Sequence, residues 1–218
     1  MLLEGFEVNK GEIIFLHGNS GCGKTTVLNL VSGVIKSEIE DQVRMRFPEI
    51  AYVMHTTTML SWGDVEKSIA VEEKLREKEI NRNLLKELCG KFNLPQHVFR
   101  LKTWHLSLGM RQRLEIAKAI SFSPDIILLD ESFSGIDRNT KVVVLEEVWN
   151  WVKYKNGTVI GTAHQIGDLL RLAQRIYWLE GGKIKTSLTI SEDVETRIGM
   201  STDSLLSIES AGPIFRYD

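Results

Sequence analysis

The eight residues Gly18-Asn19-Ser20-Gly21-Cys22-Gly23-Lys24-Thr25 satisfy the pattern GxxxxGK[ST], and nothing else in the chain restricts its fold so tightly. An apolar run at 12–17 leads into them and reads as a buried strand. Residues 25–31 follow at helical spacing, with Gly33 placed to close the helix. Strand, glycine loop and helix in that order form a cradle for phosphate. The glycines let successive backbone N–H groups curl around a β-phosphate, Lys24 supplies a point charge toward the β- and γ-phosphates, and Thr25 offers a hydroxyl to Mg²⁺. Gly18, Asn19, Ser20, Gly21, Cys22, Gly23, Lys24, Thr25 and the adjoining Thr26 are therefore the expected nucleotide contacts. Cys22 reads as a small residue tolerated in the loop rather than as a redox switch.

A second signal is Ile126-Ile127-Leu128-Leu129, a hydrophobic strand that stops in Asp130 and Glu131. A buried strand ending in carboxylates brings negative charge to the edge of a sheet where α/β proteins bind ligands. Asp130 is suited to hold Mg²⁺, directly or through water, and Glu131 to orient and deprotonate an attacking water. Acidic residues often merely end a strand; the phosphate loop upstream is what favours the chemical reading.

Between these signals, 50–54 reads as another buried strand. At 57–105 the texture changes: charged, helix-favouring stretches at 64–79 and 83–92 are separated by Asn81 and stopped by Asn93, Leu94 and Pro95. Further helices are predicted at 110–121 and 141–154, a strand at 158–162, and a hairpin over 176–185 turning on Glu180-Gly181-Gly182. This alternation implies an α/β fold with a mostly parallel central sheet, a core of 1–56 and 106–185, and an inserted helical subdomain at 57–105. Residues 186–218 form a C-terminal extension to which the pattern gives no role. The charged stretch 72–79 reads as a solvated helix face, and Trp149, Trp151 and Tyr154 as packing residues on one helix.

A chain of 218 residues, 43% hydrophobic and 26% charged, can bury one full core or a core and a small lobe. With 27 Lys+Arg against 29 Asp+Glu the formal net charge is −2, which provides no basic field for nucleic acid, and no nucleic-acid partner is expected. Two cysteines, Cys22 and Cys89, with no CxxC pair, give no support for structural zinc and point to a reducing compartment. Glu4 and Glu7 interrupt any apolar leader, and no apolar run reaches the roughly eighteen residues needed to cross a bilayer as a helix. Any membrane link is expected to run through a partner protein.

With these residues in this order, the chain resembles an ATP-binding cassette (ABC-type) ATPase, the nucleotide-binding subunit of transporters. Such cassettes carry a signature near LSGGQ between the phosphate loop and the acidic strand. Leu106-Ser107-Leu108-Gly109-Met110, followed by Arg111-Gln112-Arg113, stands at that place. The resemblance implies a P-loop NTPase with a RecA-like core that binds ATP and Mg²⁺. It also implies a dimer, in which Ser107 and Gly109 meet the γ-phosphate held by the opposite subunit. On the same grounds Ser134-Gly135-Ile136-Asp137 resembles the loop that crosses the dimer interface, and His164 the switch histidine that touches the γ-phosphate. Lys24, Glu131 and His164 are then the catalytic group, with Thr25 and Asp130 holding the metal. The implied partners are a second cassette subunit, as a homodimer, and an integral-membrane permease that keeps this cytoplasmic chain peripheral on the inner face of the cell membrane.

Several positions depart from the family pattern. His55 stands at the usual nucleotide-contacting glutamine after 50–54; it can still donate a hydrogen bond or meet a metal-bound water, but it is shorter and titrates. Leu108 and Met110 replace Gly and Gln, and an LSLGM sequence followed by a basic residue, Gln and Arg is similar to cassettes of antibiotic-resistance and bacteriocin-immunity exporters, which implies export. Ser132 stands where Pro is usual, which should loosen the loop beyond Glu131. Only seventeen residues precede Gly18, so Phe6 lies too near to be the family's base-stacking aromatic, and GTP is expected to be accepted nearly as well as ATP. Two rival readings are a soluble ABC-type ATPase of nucleic-acid or assembly machinery and a low-turnover nucleotide-dependent scaffold. The lack of a basic excess or coiled coil disfavours the first, and the retention of Lys24, Asp130, Glu131 and His164 the second.

Overall fold

The computed structural model describes residues 6–36, 47–54, 59, 62–162, 166–190, 193–198 and 200, together with the backbone of 215–217. In chain order the elements are β1 (Ile13–His17), α1 (Lys24–Ser32), β2 (Ile50–Val53), α2 (Val65–Arg76) and α3 (Arg82–Lys91). Two single 3₁₀ turns (Val98–Arg100 and Thr103–His105) lead to α4 (Leu108–Ser121), β3 (Ile126–Asp130), α5 (Arg138–Lys155) and β4 (Thr158–Thr162). The chain continues through α6 (Ile166–Leu172), β5 (Arg175–Glu180), β6 (Lys183–Ile190), α7 (Val194–Ile198) and β7 (Phe215–Tyr217).

The strands form one sheet in the order β2-β3-β4-β1-β5-β6-β7. The first five are parallel, and β6 and β7 continue the sheet antiparallel. β3 and β4 are buried along their whole length, as is β1 except for its last residue, so these near-continuous apolar runs need helices over both faces. On one face Ile14, Leu16, Leu128 and Ile160 share a core with Val27, Leu28 and Val31 of α1. On the other, Phe15, Ile127, Leu129 and Val159 are buried with Leu114 and Ala117 of α4 and Val144 and Val148 of α5. Gly161 sits mid-strand because a Cβ there would come within 2.4 Å of the Phe15 ring.

Helix starts follow their caps. Asp64, Asn81, Ser107 and Asp137 accept from the backbone N–H of Lys67 (2.9 Å), Leu84 (3.1 Å), Met110 (3.2 Å) and Thr140 (3.0 Å). Because Ser107 and Asp137 lie upstream of the first buried apolar positions, α4 and α5 begin two to three residues before the periodicity alone predicts. α2, α3 and the two 3₁₀ turns make the helical subdomain between β2 and α4. α6 and α7, of seven and five residues, are too short to show an apolar period and were not predicted. The expected break at 186 falls inside β6, and Val194 and Ile198 beyond it are buried against the core.

The stretch 72–79 is not simply a solvated face. Glu72 lies 2.7 Å from the ammonium of the buried Lys118, which also meets Glu115 at 3.1 Å. Of the three aromatics on α5, Trp151 is buried and Trp149 half-buried, whereas Tyr154 is exposed, 5.6 Å from the Lys153 ammonium. Among the described residues no helix is long and apolar enough to cross a membrane.

Candidate nucleotide site

The loop after β1 has the backbone that its glycines permit. Gly21 and Gly23 are left-handed, with φ of 79° and 107°, and a Cβ at Gly18 would stand 2.3 Å from the Leu179 carbonyl of β5. The β5–β6 turn closes the loop from outside, where the Gly182 N–H donates to the Cys22 carbonyl at 3.1 Å. Gly23 gives α1 no side-chain cap, so the positive end of that helix is left for an anion. Lys24 is buried and folds back over the loop, its Nζ donating to the carbonyls of Gly18 (2.8 Å) and Asn19 (3.1 Å) and lying 3.9 Å from Cys22 Sγ. Asn19, Ser20, Thr25 and Thr26 are exposed around the rim.

Parallel pairing sets Asp130, the last residue of β3, opposite Thr162, the last of β4. The Thr162 hydroxyl donates to Asp130 Oδ1 at 2.8 Å, and the Thr25 hydroxyl of α1 donates to Oδ2 at 3.0 Å. Asp130 is only 5% exposed, so its charge is held by these two threonines rather than by water. Glu131 then turns out of the strand at φ 51°, a conformation that costs a non-glycine residue about 1–3 kcal/mol and collects at functional sites. Its N–H is anchored on Thr162 twice, on the carbonyl and on the hydroxyl, each at 3.1 Å.

Ser132 does not loosen this turn. It is fully buried, and its hydroxyl donates to the Val53 carbonyl at 3.0 Å, tying the end of β3 to the end of β2 with a bond that proline could not make. Tyr52, also on β2, donates to Asn29 Oδ1 of α1 at 3.1 Å. Burial, and after it the Asp130 charge, raises this phenol above its ordinary range, so it stays a donor. His17, directly before Gly18, is held below the usual histidine range by burial and then by Lys24; its ring lies edge-on to Trp178 at 4.6 Å.

The signature residues stand apart from this centre. Ser107 caps α4, and Gly109 lies so close under the Ser134-Gly135 turn that a Cβ would reach 2.3 Å from the Gly135 carbonyl. Buried Gln112 locks the two together, its Oε1 accepting from the Gly135 N–H at 2.8 Å and its Nε2 donating to Ser134 Oγ at 3.2 Å. Among the described residues no hydrogen bond joins Ser107 or Gly109 to the chain's own phosphate loop. Thr25 and Asp130, with their chain neighbours Lys24 and Glu131, thus lie together, while Ser107, Ser134 and Gly135 are exposed on a second surface beside half-buried Gly109. His55 and His164 lie outside the described residues. Thr162 and Gln112 were missed: a threonine ending a strand beside an acidic one was the available signal for the first, and no local pattern marks the second. Phe6, half-buried, packs edge-on to Tyr177 at 5.0 Å against the core.

The ABC transporter family model matches residues 5–134. The chain belongs to the ABC transporter family. It is an ATP-binding ATPase cassette. The nitrate import ATP-binding protein NrtD of Synechococcus elongatus is 32% identical to it over 192 residues, covering 82% of this chain and 69% of that one. The bicarbonate transport ATP-binding protein CmpD of the same species is 32% identical, covering 80% and 66%. Among solved structures, the dimeric post-hydrolysis state of the ATP-binding cassette MJ0796 bound to ADP and Pi superposes with a TM-score of 0.72 at 21% identity, covering 87% of this chain and 88% of that one. At that identity the likeness is one of fold.

Kinship with antibiotic and bacteriocin exporters, expected from the altered signature, finds no support in these relatives, one of which is named for nitrate import. Leu108 is 53% exposed and Met110 half-buried, while Ser107 caps α4 and Gly109 lies against Gly135.

Proposed function

We propose that the cassette works as a dimer and couples ATP hydrolysis to a separate integral-membrane permease. The observation that carries the site assignment is the 3.0 Å bond from Thr25 to Asp130, which brings the phosphate-loop helix and the acidic strand to one point. Lys24 and the N-terminus of α1 bind the phosphates, and Glu131, fixed by Thr162, orients and deprotonates the attacking water. The Thr25 hydroxyl and the Asp130 carboxylate are hard oxygen donors, and among the described residues no group of three or more His, Cys, Asp or Glu is placed to hold a metal ion. That donor set suits Mg²⁺, which keeps waters and binds through one or two protein oxygens plus substrate phosphates, supplying charge neutralisation there. Exposed Ser107 and half-buried Gly109, beside Gly135, are assigned to the nucleotide of the opposite subunit.

The permease is assigned to a groove of about 880 Å³ between the sheet core and the helical subdomain, lined by Val34, Ile50, Tyr52, Val71 and Leu75 among others. Leu75 is 80% and Val34 60% exposed, which is apolar surface in want of a partner. The relative named for nitrate import favours uptake over export. The test of the chemistry is a pair of variants. Lys24→Ala should lose nucleotide binding, whereas Glu131→Gln should keep it, stop phosphate release and trap a dimer visible by light scattering. Wild-type turnover in Glu131→Gln would remove Glu131 from the mechanism.

A further inference from the structure

The C-terminal helix α7 has no part in the site described above, yet it grips two helices that lead away from that site. Arg197 is 1% exposed, and its guanidinium donates to the carbonyls of Leu170 and, at 2.8 Å, Ala173. Those carbonyls close α6, so a buried cation caps the negative end of a helix of only seven residues. From the other side Arg171 of α6 reaches the Met200 carbonyl at 3.0 Å. Two residues before Arg197, Glu195 accepts from Trp149 Nε1 of α5 at 3.2 Å and pairs with Lys153 of the same helix. Val194 and Ile198 fill the space between with 2% and 3% exposure.

Both helices are tied to the reacting end of the sheet. α5 starts directly after the Ser134-Gly135 turn that Gln112 holds against the signature. α6 follows β4, whose Thr162 fixes Asp130 and Glu131, after a link of three residues that contains His164. We propose that α7 is a clasp that sets α6 against α5, and that Arg197 is a positioning residue of the ATPase, acting on turnover through α6 and not on nucleotide affinity. This rests on the reading that Glu131 and the chain after β4 serve hydrolysis.

The test uses the full chain in two variants, Arg197→Lys, which keeps the charge but not the two-pronged cap, and Glu195→Gln, an exposed change that spares the buried cation. Three quantities are read for each: affinity for fluorescent ATP, phosphate release at saturating ATP, and hydrogen exchange of 166–172. Arg197→Lys should release phosphate at least fivefold more slowly with affinity kept within twofold, and exchange in 166–172 should rise tenfold or more. Glu195→Gln should show the same split with a two- to fivefold loss of rate and an unchanged melting temperature, and it decides the matter if Arg197→Lys does not fold. Native exchange or native turnover in a folded variant overturns the clasp. A wild-type chain with no turnover at all would instead count against the hydrolytic reading, while the exchange data would still judge whether α7 orders α6.

Discussion

Replacing Thr162 by valine is the sharpest test of how the acidic end of β3 is held. Valine keeps the volume and the β-branch, so no cavity opens, and the strand pairing with β3 is untouched. What disappears is one hydroxyl that works twice, donating to Asp130 Oδ1 at 2.8 Å and accepting from the Glu131 N–H at 3.1 Å. The second loss is small because the same N–H still reaches the Thr162 carbonyl. The first is a hydrogen bond to a charged acceptor that is 5% exposed, and such bonds contribute about 1.5–3 kcal/mol. Thr25 continues to bind the carboxylate, which keeps the expected cost near 2 kcal/mol, or a fall in melting temperature of about 4–8 °C for a chain of this size. Glu131 sits in a left-handed conformation that relaxes once half its anchor is gone, so phosphate release should fall by about tenfold, the equivalent of ~1.4 kcal/mol of barrier. Thr162→Ser should restore both quantities. A valine variant within about 0.5 kcal/mol of wild type in urea denaturation, the range typical of an inconsequential surface change, would refute the account of Asp130 as a carboxylate held by threonines.

Other expectations follow from the same contacts. At the buried cluster on α4, burial would lower Lys118 but Glu115 and Glu72 outweigh it, and burial would raise Glu72 but Lys118 and then Arg76 outweigh that, so the lysine titrates above and Glu72 below its ordinary range. Glu72 therefore contributes stability that is complete above the ordinary carboxylate pKa of about 4.3 and lost as pH falls through its lowered value. Lys118→Met should cost about 3–5 kcal/mol at pH 7, and the deficit should shrink as pH falls and Glu72, left with Arg76 alone, takes up a proton; a deficit independent of pH would contradict the pairing. Gly109→Ala forces a Cβ to within 2.3 Å of the Gly135 carbonyl and should cost about 1–3 kcal/mol in melting experiments, with loss of ATP-driven dimerisation. Ser132→Ala, which removes the donor to Val53, should destabilise by about 1 kcal/mol, and Ser132→Pro should do no better; a stabilising proline would restore the idea that serine loosens this turn. With Phe6 packed on Tyr177, the ratio of ATP to GTP affinities should stay under tenfold in a competition assay, since a base-stacking aromatic contributes about 1–3 kcal/mol.

How much of this was legible in the sequence depends on the range over which each feature is specified. The phosphate loop is written in eight consecutive residues, and each strand of the core in a short apolar run, so β1, β3 and β4 and their helices could be placed from local pattern alone. Helix starts shifted by two or three residues because a cap is a side-chain bond, Ser107 to Met110 or Asp137 to Thr140, which precedes the apolar period it launches. Beyond that range the pattern is silent. Thr162 becomes a partner of Asp130 only through the register of β3 on β4, across 32 residues, and Gln112 finds Gly135 across 23. The expectation for Ser132 failed for the same reason: it weighed the missing proline ring by its local stiffness, whereas the hydroxyl acts on Val53, 79 residues away in another strand. The same long-range dependence makes α7 intelligible. Five residues with no period of their own hold their helix by what Arg197 and Glu195 reach, and those targets lie on α6 and α5, up to 46 residues back in the chain. The groups to which chemistry is assigned here sit in short motifs, while the groups that fix their positions are set by strand register and helix docking, so the second kind emerges only once the sheet is built.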